Sequence, residues 1–316
     1  MSGPSKTKQS AARNPQTPGA MEERVAALET SLRELEASVD TAKLFHHLRV
    51  VSSKYWPLHE MTDKATVSQP SSFRIGPTTR PEDIPVPGPY PYLRHQERES
   101  DLLQSGCQHV ATLKKLLADD GFRLSPGNRV LDFGCFTGRV LRWFLEDARN
   151  GVEVWGVDIH AEAIEWVARR MCPPFYTATT TTQPHLPFPD NYFDVIYAGS
   201  VFTHIADLAD AWLLELRRAM KPQGRAYLTF NDEKSVQIVK SKWRGTWDDT
   251  MFDKAVLESG KTLSEVCFIS VGQSPYAAVY YNRKFLSEKL SRLFHLKRVH
   301  DESYGWQSAY LVQKPA

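Results

Sequence analysis

Apolar and polar positions divide the chain into stretches of different character. Residues 1–20 are mostly Ser, Thr, Pro, Gln, Asn and Gly, with Lys6, Lys8 and Arg13 and no acid. Such a stretch buries too little apolar surface to offset its ordering entropy, so a disordered tail is expected. In residues 21–48, Val25, Leu28, Leu32, Leu35, Val39 and Ala42 recur at spacings of three and four among Glu and Arg. That pattern predicts a helix, either a coiled-coil seam of about three heptads or an amphipathic face lying on the protein itself. From Pro70 to Pro91 there are seven prolines in 22 residues, which exclude helix and central strand. A linker or extended wrap is expected over 50–95, with Tyr90, Pro91, Tyr92 and Leu93 suited to packing at its end.

After Gln96 the period becomes regular. Leu102, Leu103, Val110, Leu113, Leu116 and Leu117 have helical spacing. Arg129–Phe133 reads as a short buried strand, followed by a glycine loop and a helix over Arg139–Leu145. Strands are expected at Val152–Val157, Phe193–Ala198 and Arg225–Phe230, with helices around Ile164–Met171 and Leu208–Met220 between them. Alternation of strand and helix predicts an α/β domain with a doubly wound, mostly parallel sheet. Phe294–Val299 and Ser308–Val312 are joined too closely for a crossover, so they form a C-terminal antiparallel hairpin. The domain is expected over 96–316.

Composition narrows the classes. Hydrophobic residues make up 41% of the 316 and charged residues 24%, as in a globular protein with a real core. The net charge of +2 argues against a nucleic-acid binder on bulk charge. No apolar run nears the ~20 residues that span a bilayer, and residues 1–20 lack the apolar core of a secretory signal. Cys107, Cys135, Cys172 and Cys267 are far apart, with no CxxC, so neither a disulfide framework nor zinc is expected and a cytoplasmic location is the default. The ten histidines show no metal-binding spacing, so no metal is expected.

The sharpest chemical signal is Val130-Leu131-Asp132-Phe133-Gly134-Cys135-Phe136-Thr137-Gly138-Arg139. A buried strand ends in an acid, and two glycines bracket a turn into a helix. Glycine permits positive φ and close approach of a ligand to the backbone, while a helix start offers free amide hydrogens. The next strand ends at Asp158, where an acid in this fold reaches the hydroxyls of an adenosine ribose. The combination predicts a nucleoside-binding crevice. The GxGxxG spacing of nicotinamide enzymes is absent, which disfavours a dehydrogenase.

Val130–Arg139, Gly156–Asp158, Leu186–Asp190 with Phe193-Asp194, and Arg217–Gly224 resemble successive motifs of class I S-adenosylmethionine-dependent methyltransferases. The resemblance covers about residues 100–316. Ser200-Val201-Phe202-Thr203-His204 and Leu103–Gly106 further resemble a bacterial branch associated with glycan and natural-product methylation. It implies a Rossmann-like seven-stranded sheet and S-adenosylmethionine as cofactor. Gly134 to Gly138 would pass under the methionine part, and Asp132 would hold its amino group directly or through water. Asp158 would bind the ribose hydroxyls, with Ile159 against the adenine. Gln183 stands where the family often has an acid near the adenine amine, and Ser200 would line the sulfonium.

Two departures stand out. Phe136 occupies a position where glycine is common, and its ring would crowd the cofactor unless the backbone differs locally. The run Thr179–Pro184 offers no acid to the adenine, leaving Gln183 or backbone groups. An insert over 231–282 carries Trp243, Trp247 and Phe252 among charged residues. In this fold it would lie above the methyl group, where the rings either hold a sugar face or planar ring, or only pack the insert. His204 would be a general base for a hydroxyl acceptor, or a loop cap that shapes the pocket. The expected activity is methyl transfer to a glycan or small natural product, with possible homo-oligomers through residues 21–48. The alternative is a catalytically weakened scaffold working through its coiled coil, which Phe136 would explain.

Overall fold

The computed structural model describes residues 24–30, 73–86, 99–245, 247–272 and 277–316. Residues 24–30 are helical, with Val25 and Leu28 exposed, and belong to a unit separate from the rest. The expected tail, the remainder of the heptad seam and Tyr90 to Leu93 lie outside the described residues, as does Trp247 beyond its backbone.

Helix α1 (Glu99–Asp119) precedes β1 (Arg129–Phe133), and β2 (Glu153–Asp158), β3 (Tyr176–Thr179), β4 (Phe193–Ala198) and β5 (Met220–Asp232) follow. Helices α2 (Leu145–Arg149), α3 (Ala161–Met171) and α4 (Ala209–Ala219) lie between these strands. The insert forms α5 (Glu233–Lys242), α6 (Trp247–Ser259) and the strands β6 (Phe268–Val271) and β7 (Ala278–Tyr281). Helix α7 (Arg283–Leu293) leads into the hairpin β8 (His295–Tyr304) and β9 (Gln307–Gln313). The first five strands pair in parallel in the order β3-β2-β1-β4-β5, and β9 then pairs antiparallel with β5 and β8.

Both sheet faces are covered, and the strand period of two sorts the side chains. Leu131, Phe133, Ile196, Ala198, Leu228 and Tyr310 face one core under α4 and α7. Val130, Val195, Tyr197, Tyr227 and Leu311 face another under α1 and α3. This is the doubly wound arrangement expected from the alternating pattern.

Seven strands were expected, and among the described residues the sheet has nine. The β5–β9 ladder covers Arg225 to Phe230, but β5 continues to Asp232. Its last two residues, Asn231 and Asp232, pair with Tyr280 and Tyr281 of β7, which brings β6 with it. Unpaired backbone groups at a strand edge are a template for further pairing, and the insert supplies it. The segment expected as a helix at Arg139–Leu145 is instead a turn and a 3-10 helix (Leu141–Phe144) that opens into α2.

The proline-rich segment wraps the domain where it is described. Ile84 is fully buried in the α1-side core. The nearly buried Arg142 fastens the wrap, donating through Nη1 to Ile84 O at 2.8 Å and through Nη2 to Pro85 O at 2.9 Å.

Candidate active site at the carboxyl ends of the parallel strands

β1 and β2 run in register, with Asp132 opposite Gly156 and Phe133 opposite Val157. The chain leaves β1 through Gly134 at φ +83°, and the amides of Gly134 and Cys135 both donate to Val157 O, at 2.8 and 3.0 Å. Glycine is required here on two counts. The φ is left-handed, and a Cβ would stand 2.5 Å from Val201 Cγ2. Gly138 closes the turn at φ +75°, where a Cβ would meet Met171 Sδ at 2.7 Å.

Asp158 is the hinge of the crevice. It is 7% exposed; Oδ2 accepts the Phe136 amide and Oδ1 the His160 amide, each at 2.8 Å. A carboxylate has about four lone-pair sites, so each oxygen keeps one for a further donor. That valence suits two vicinal hydroxyls. Phe136 sits at φ +46°, so the backbone keeps the left-handed turn despite the side chain. Its bond to Asp158 opposes the strain of ~1–2 kcal/mol, and its ring meets His160 edge-on at 5.4 Å.

Asp132 is 2% exposed, and its Oδ2 has no hydrogen-bond partner. Burial raises its pKa to about 7, opposed by the charge of Arg139 and reinforced by that of Asp158. A buried acceptor without a donor, at the strand end that leads into the glycine turn, fits a ligand ammonium group.

Ser200 follows β4 at φ +58°. Its amide donates to Thr229 Oγ1 at 2.7 Å, and its Oγ accepts from Gln307 Nε2 at 2.9 Å. Thr229 Oγ1 in turn donates to Gln307 Oε1 at 2.7 Å, so strands β5 and β9 hold the loop. Phe136 and Ser200 are thus both non-glycine residues in the left-handed region. Strain of this kind concentrates at functional sites.

His204 is half-buried, and its Nδ1 lies 3.0 Å from Ala277 O. A carbonyl only accepts, so Nδ1 carries the proton and Nε2 holds the lone pair. Burial lowers the pKa, opposed by the Ala277 carbonyl, and the ring is neutral near pH 7. Gln183 is exposed in the loop after β3; that loop is tied to the site where the Thr180 amide donates to Asp158 O at 2.9 Å. Ile159 lies between Asp158 and His160 in the same turn, half-buried.

On the insert side, a small recess is lined by Asn231, Val236, Lys240, Phe252, Tyr280 and Trp306. Trp243 meets Trp306 at 5.7 Å, and Phe252 meets Tyr280 at 5.0 Å. Among the described residues, no group of three His, Cys, Asp or Glu could hold a metal ion, and no helix is long and apolar enough to cross a membrane.

Sequence reasoning passed over Thr229 and Gln307, whose partners are 29 and 107 residues from them in the chain. It also passed over Arg139, which binds Ser105 and His109 of α1 and Tyr304 of β8. The one local signal was the spacing of four between Ser105 and His109, which puts both on one helix face.

Residues 131–228 match the family model described as a methyltransferase domain. The ubiquinone/menaquinone biosynthesis C-methyltransferase UbiE of Paraburkholderia phymatum is 34% identical over 125 residues, covering 39% of this chain and 50% of that protein. Its counterpart in Cupriavidus pinatubonensis is 30% identical over the same length and coverage. The chain thus spans about half the length of the curated relatives it matches. Among solved structures, the magnesium protoporphyrin IX methyltransferase of Synechocystis, with bound S-adenosylhomocysteine, is 17% identical. The match covers 71% of this chain and 90% of that one, with a TM-score of 0.44.

Proposed function

We propose that this chain transfers a methyl group from S-adenosylmethionine to a hydroxyl of a small acceptor, a glycan unit or natural product. The observation that carries the reading is the apposition of the Gly134–Gly138 turn and Asp158, joined through the Phe136 amide. It is supported by the match of residues 131–228 to the methyltransferase domain. The residues fit the cofactor: Asp132 Oδ2 lacks a donor, Asp158 keeps two lone pairs, and Gly134 holds the left-handed turn with Val201 packed where a Cβ would stand. Asp132 takes the ammonium, Asp158 the ribose hydroxyls, Ile159 and Gln183 border the adenine, and Ser200 lines the reacting end.

When bound, the cofactor supplies an electrophilic methyl on its sulfonium. The chain's part would be to hold the acceptor oxygen about 3 Å from that carbon. The neutral Nε2 of His204 would take the proton that the acceptor hydroxyl gives up on methylation. A second reading has support in the likeness to proteins named as quinone-pathway C-methyltransferases. There the nucleophile is a ring carbon activated by loss of a neighbouring hydroxyl proton, and the same base serves. Oligomerisation through residues 21–48 is part of the proposal.

Calorimetry with S-adenosylmethionine and with NAD tests the cofactor; binding of NAD alone refutes it. Turnover on sugars, phenols and quinols, with the methylated atom located by NMR, separates oxygen from carbon. Cofactor binding without turnover on any of these favours the weakened scaffold.

A further inference from the structure

Pro77, Pro81 and Pro85 keep the wrap over 73–86 out of regular helix and sheet, so its buried carbonyls need donors from elsewhere. Arginines supply them. Arg149 Nη2 donates to Gly76 O at 2.6 Å and to Thr79 O at 2.7 Å. Arg142, 2% exposed, holds the deeper end through Ile84 O and Pro85 O. Between these anchors the wrap is shaped by its own bonds. The Asp83 amide donates to Arg80 O at 3.0 Å, and the Arg80 amide donates back to Asp83 Oδ2 at 2.8 Å around a single 3-10 turn (Pro81–Asp83). The Ile84 side chain is fully buried.

Arg142 also grips the glycine turn from behind. Its amide donates to Gly138 O at 3.1 Å, and its Nε reaches the same carbonyl at 3.4 Å. Gly138 closes the left-handed turn whose Phe136 amide rests on Asp158. One guanidinium thus joins that turn to a carbonyl 58 residues earlier in the chain. Packing follows the same path. Met171 stands where a Cβ of Gly138 would be, and Met171, Val167, Leu141 and Ile84 belong to one core. The chain beyond the turn is wound as a 3-10 helix over Leu141–Phe144. Its hydrogen bonds are poorer than those of an α-helix, so the turn gains less stiffness from its own backbone and more from Arg142.

We propose that the wrap over 73–86 braces the cofactor turn, with Arg142 as the positioning residue through which it acts, so that docking of the wrap and binding of the cofactor reinforce each other. The inference rests on the S-adenosylmethionine reading above. Arg142 and the wrap act without touching the ligand. A turn already held in place does not have to be ordered when the ligand arrives, and affinity rises by the cost avoided. Coupling of this kind is reciprocal: a ligand that favours the ordered turn also favours the docked wrap.

The test uses the full chain with S-adenosylhomocysteine as the probe. Hydrogen exchange read by mass spectrometry follows the wrap, where the amides of Thr79, Arg80 and Asp83 are hydrogen-bonded. Saturation with the probe should slow their exchange. Ile84→Ala loosens the wrap without altering the turn, and calorimetry should show affinity for the probe weakened by roughly fivefold or more, the low end of such couplings. Arg142→Lys should lose as much, because a point charge does not reproduce a planar fork that spans two carbonyls. Leu290→Ala, in the opposite core under α7, is the control for general destabilisation. It should lower the urea midpoint and bind the probe within twofold of wild type. Unchanged exchange in the wrap on saturation overturns the brace. So does affinity within twofold of wild type in folded Ile84→Ala, or an equal loss in Leu290→Ala. If Ile84→Ala does not fold, Arg149→Gln, which frees the Gly76 and Thr79 carbonyls, decides by the same two outcomes. Failure of the wild type to bind the probe overturns the cofactor reading itself, and the brace with it.

Discussion

Asp158→Asn separates two jobs of one carboxylate. In the structure each oxygen accepts a backbone amide at 2.8 Å, from Phe136 on one side and His160 on the other. Asparagine keeps one oxygen and turns the other into an NH2 group, so one amide faces a donor. The loss of one charge-assisted bond at a residue 7% exposed costs ~1.5–3 kcal/mol of folding stability. The same replacement removes one acceptor from the ribose. A second loss of that size weakens S-adenosylmethionine binding by about 10- to 100-fold. Asp158→Ala is the less informative variant, because it strips both amides of their acceptor and loosens the turn from two sides. Urea denaturation measures the first effect and calorimetry at saturating protein stability the second. A variant that loses stability but binds the cofactor within twofold of wild type would show that Asp158 only braces the turn. The assignment of the ribose to it would then be refuted.

Asp132 makes cofactor affinity depend on pH: its free carboxyl titrates near 7, and an ammonium needs it ionised. Affinity should therefore fall by up to tenfold per pH unit below about 7, and Asp132→Asn should flatten that limb in calorimetry. Phe136→Gly relieves left-handed strain of ~1–2 kcal/mol and loses a ring contact of ~0.5–1.5 kcal/mol. Its urea midpoint should stay near wild type with cofactor affinity equal or better, and a large loss would make the ring part of the site. His204→Ala should lower turnover by ~10²–10⁴ with cofactor affinity intact. Because burial lowers the histidine pKa, the wild-type rate should fall only below its ordinary 6.5, as the ring takes a proton. Removal of residues 1–48 should leave a folded monomer by light scattering if the heptad seam drives assembly; a full-length chain that is already monomeric refutes that role.

The amino-acid sequence by itself determined the parallel α/β frame. The apolar run Val130–Phe133 and its counterparts at Val154–Val157 and Phe193–Ala198 are short, buried and separated by helical spacings. Local period and turn chemistry suffice for that inference. Gly134, Gly138 and Asp158 were legible for the same reason: a left-handed turn and a strand-terminal acid are local features. The tertiary structure alone decided the rest. The sheet gained β6 and β7 because β5 outruns its partner β9, and pairing lengths are a property of two strands. Phe136, which a local rule of φ places badly, is held by Asp158, 22 residues away. Strand register sets Tyr197 opposite Asp132 across 65 residues of chain, and each keeps a buried polar atom without a partner. Hydrogen-bond satisfaction is counted in space, over all neighbours that folding brings together, and a linear pattern carries no record of it.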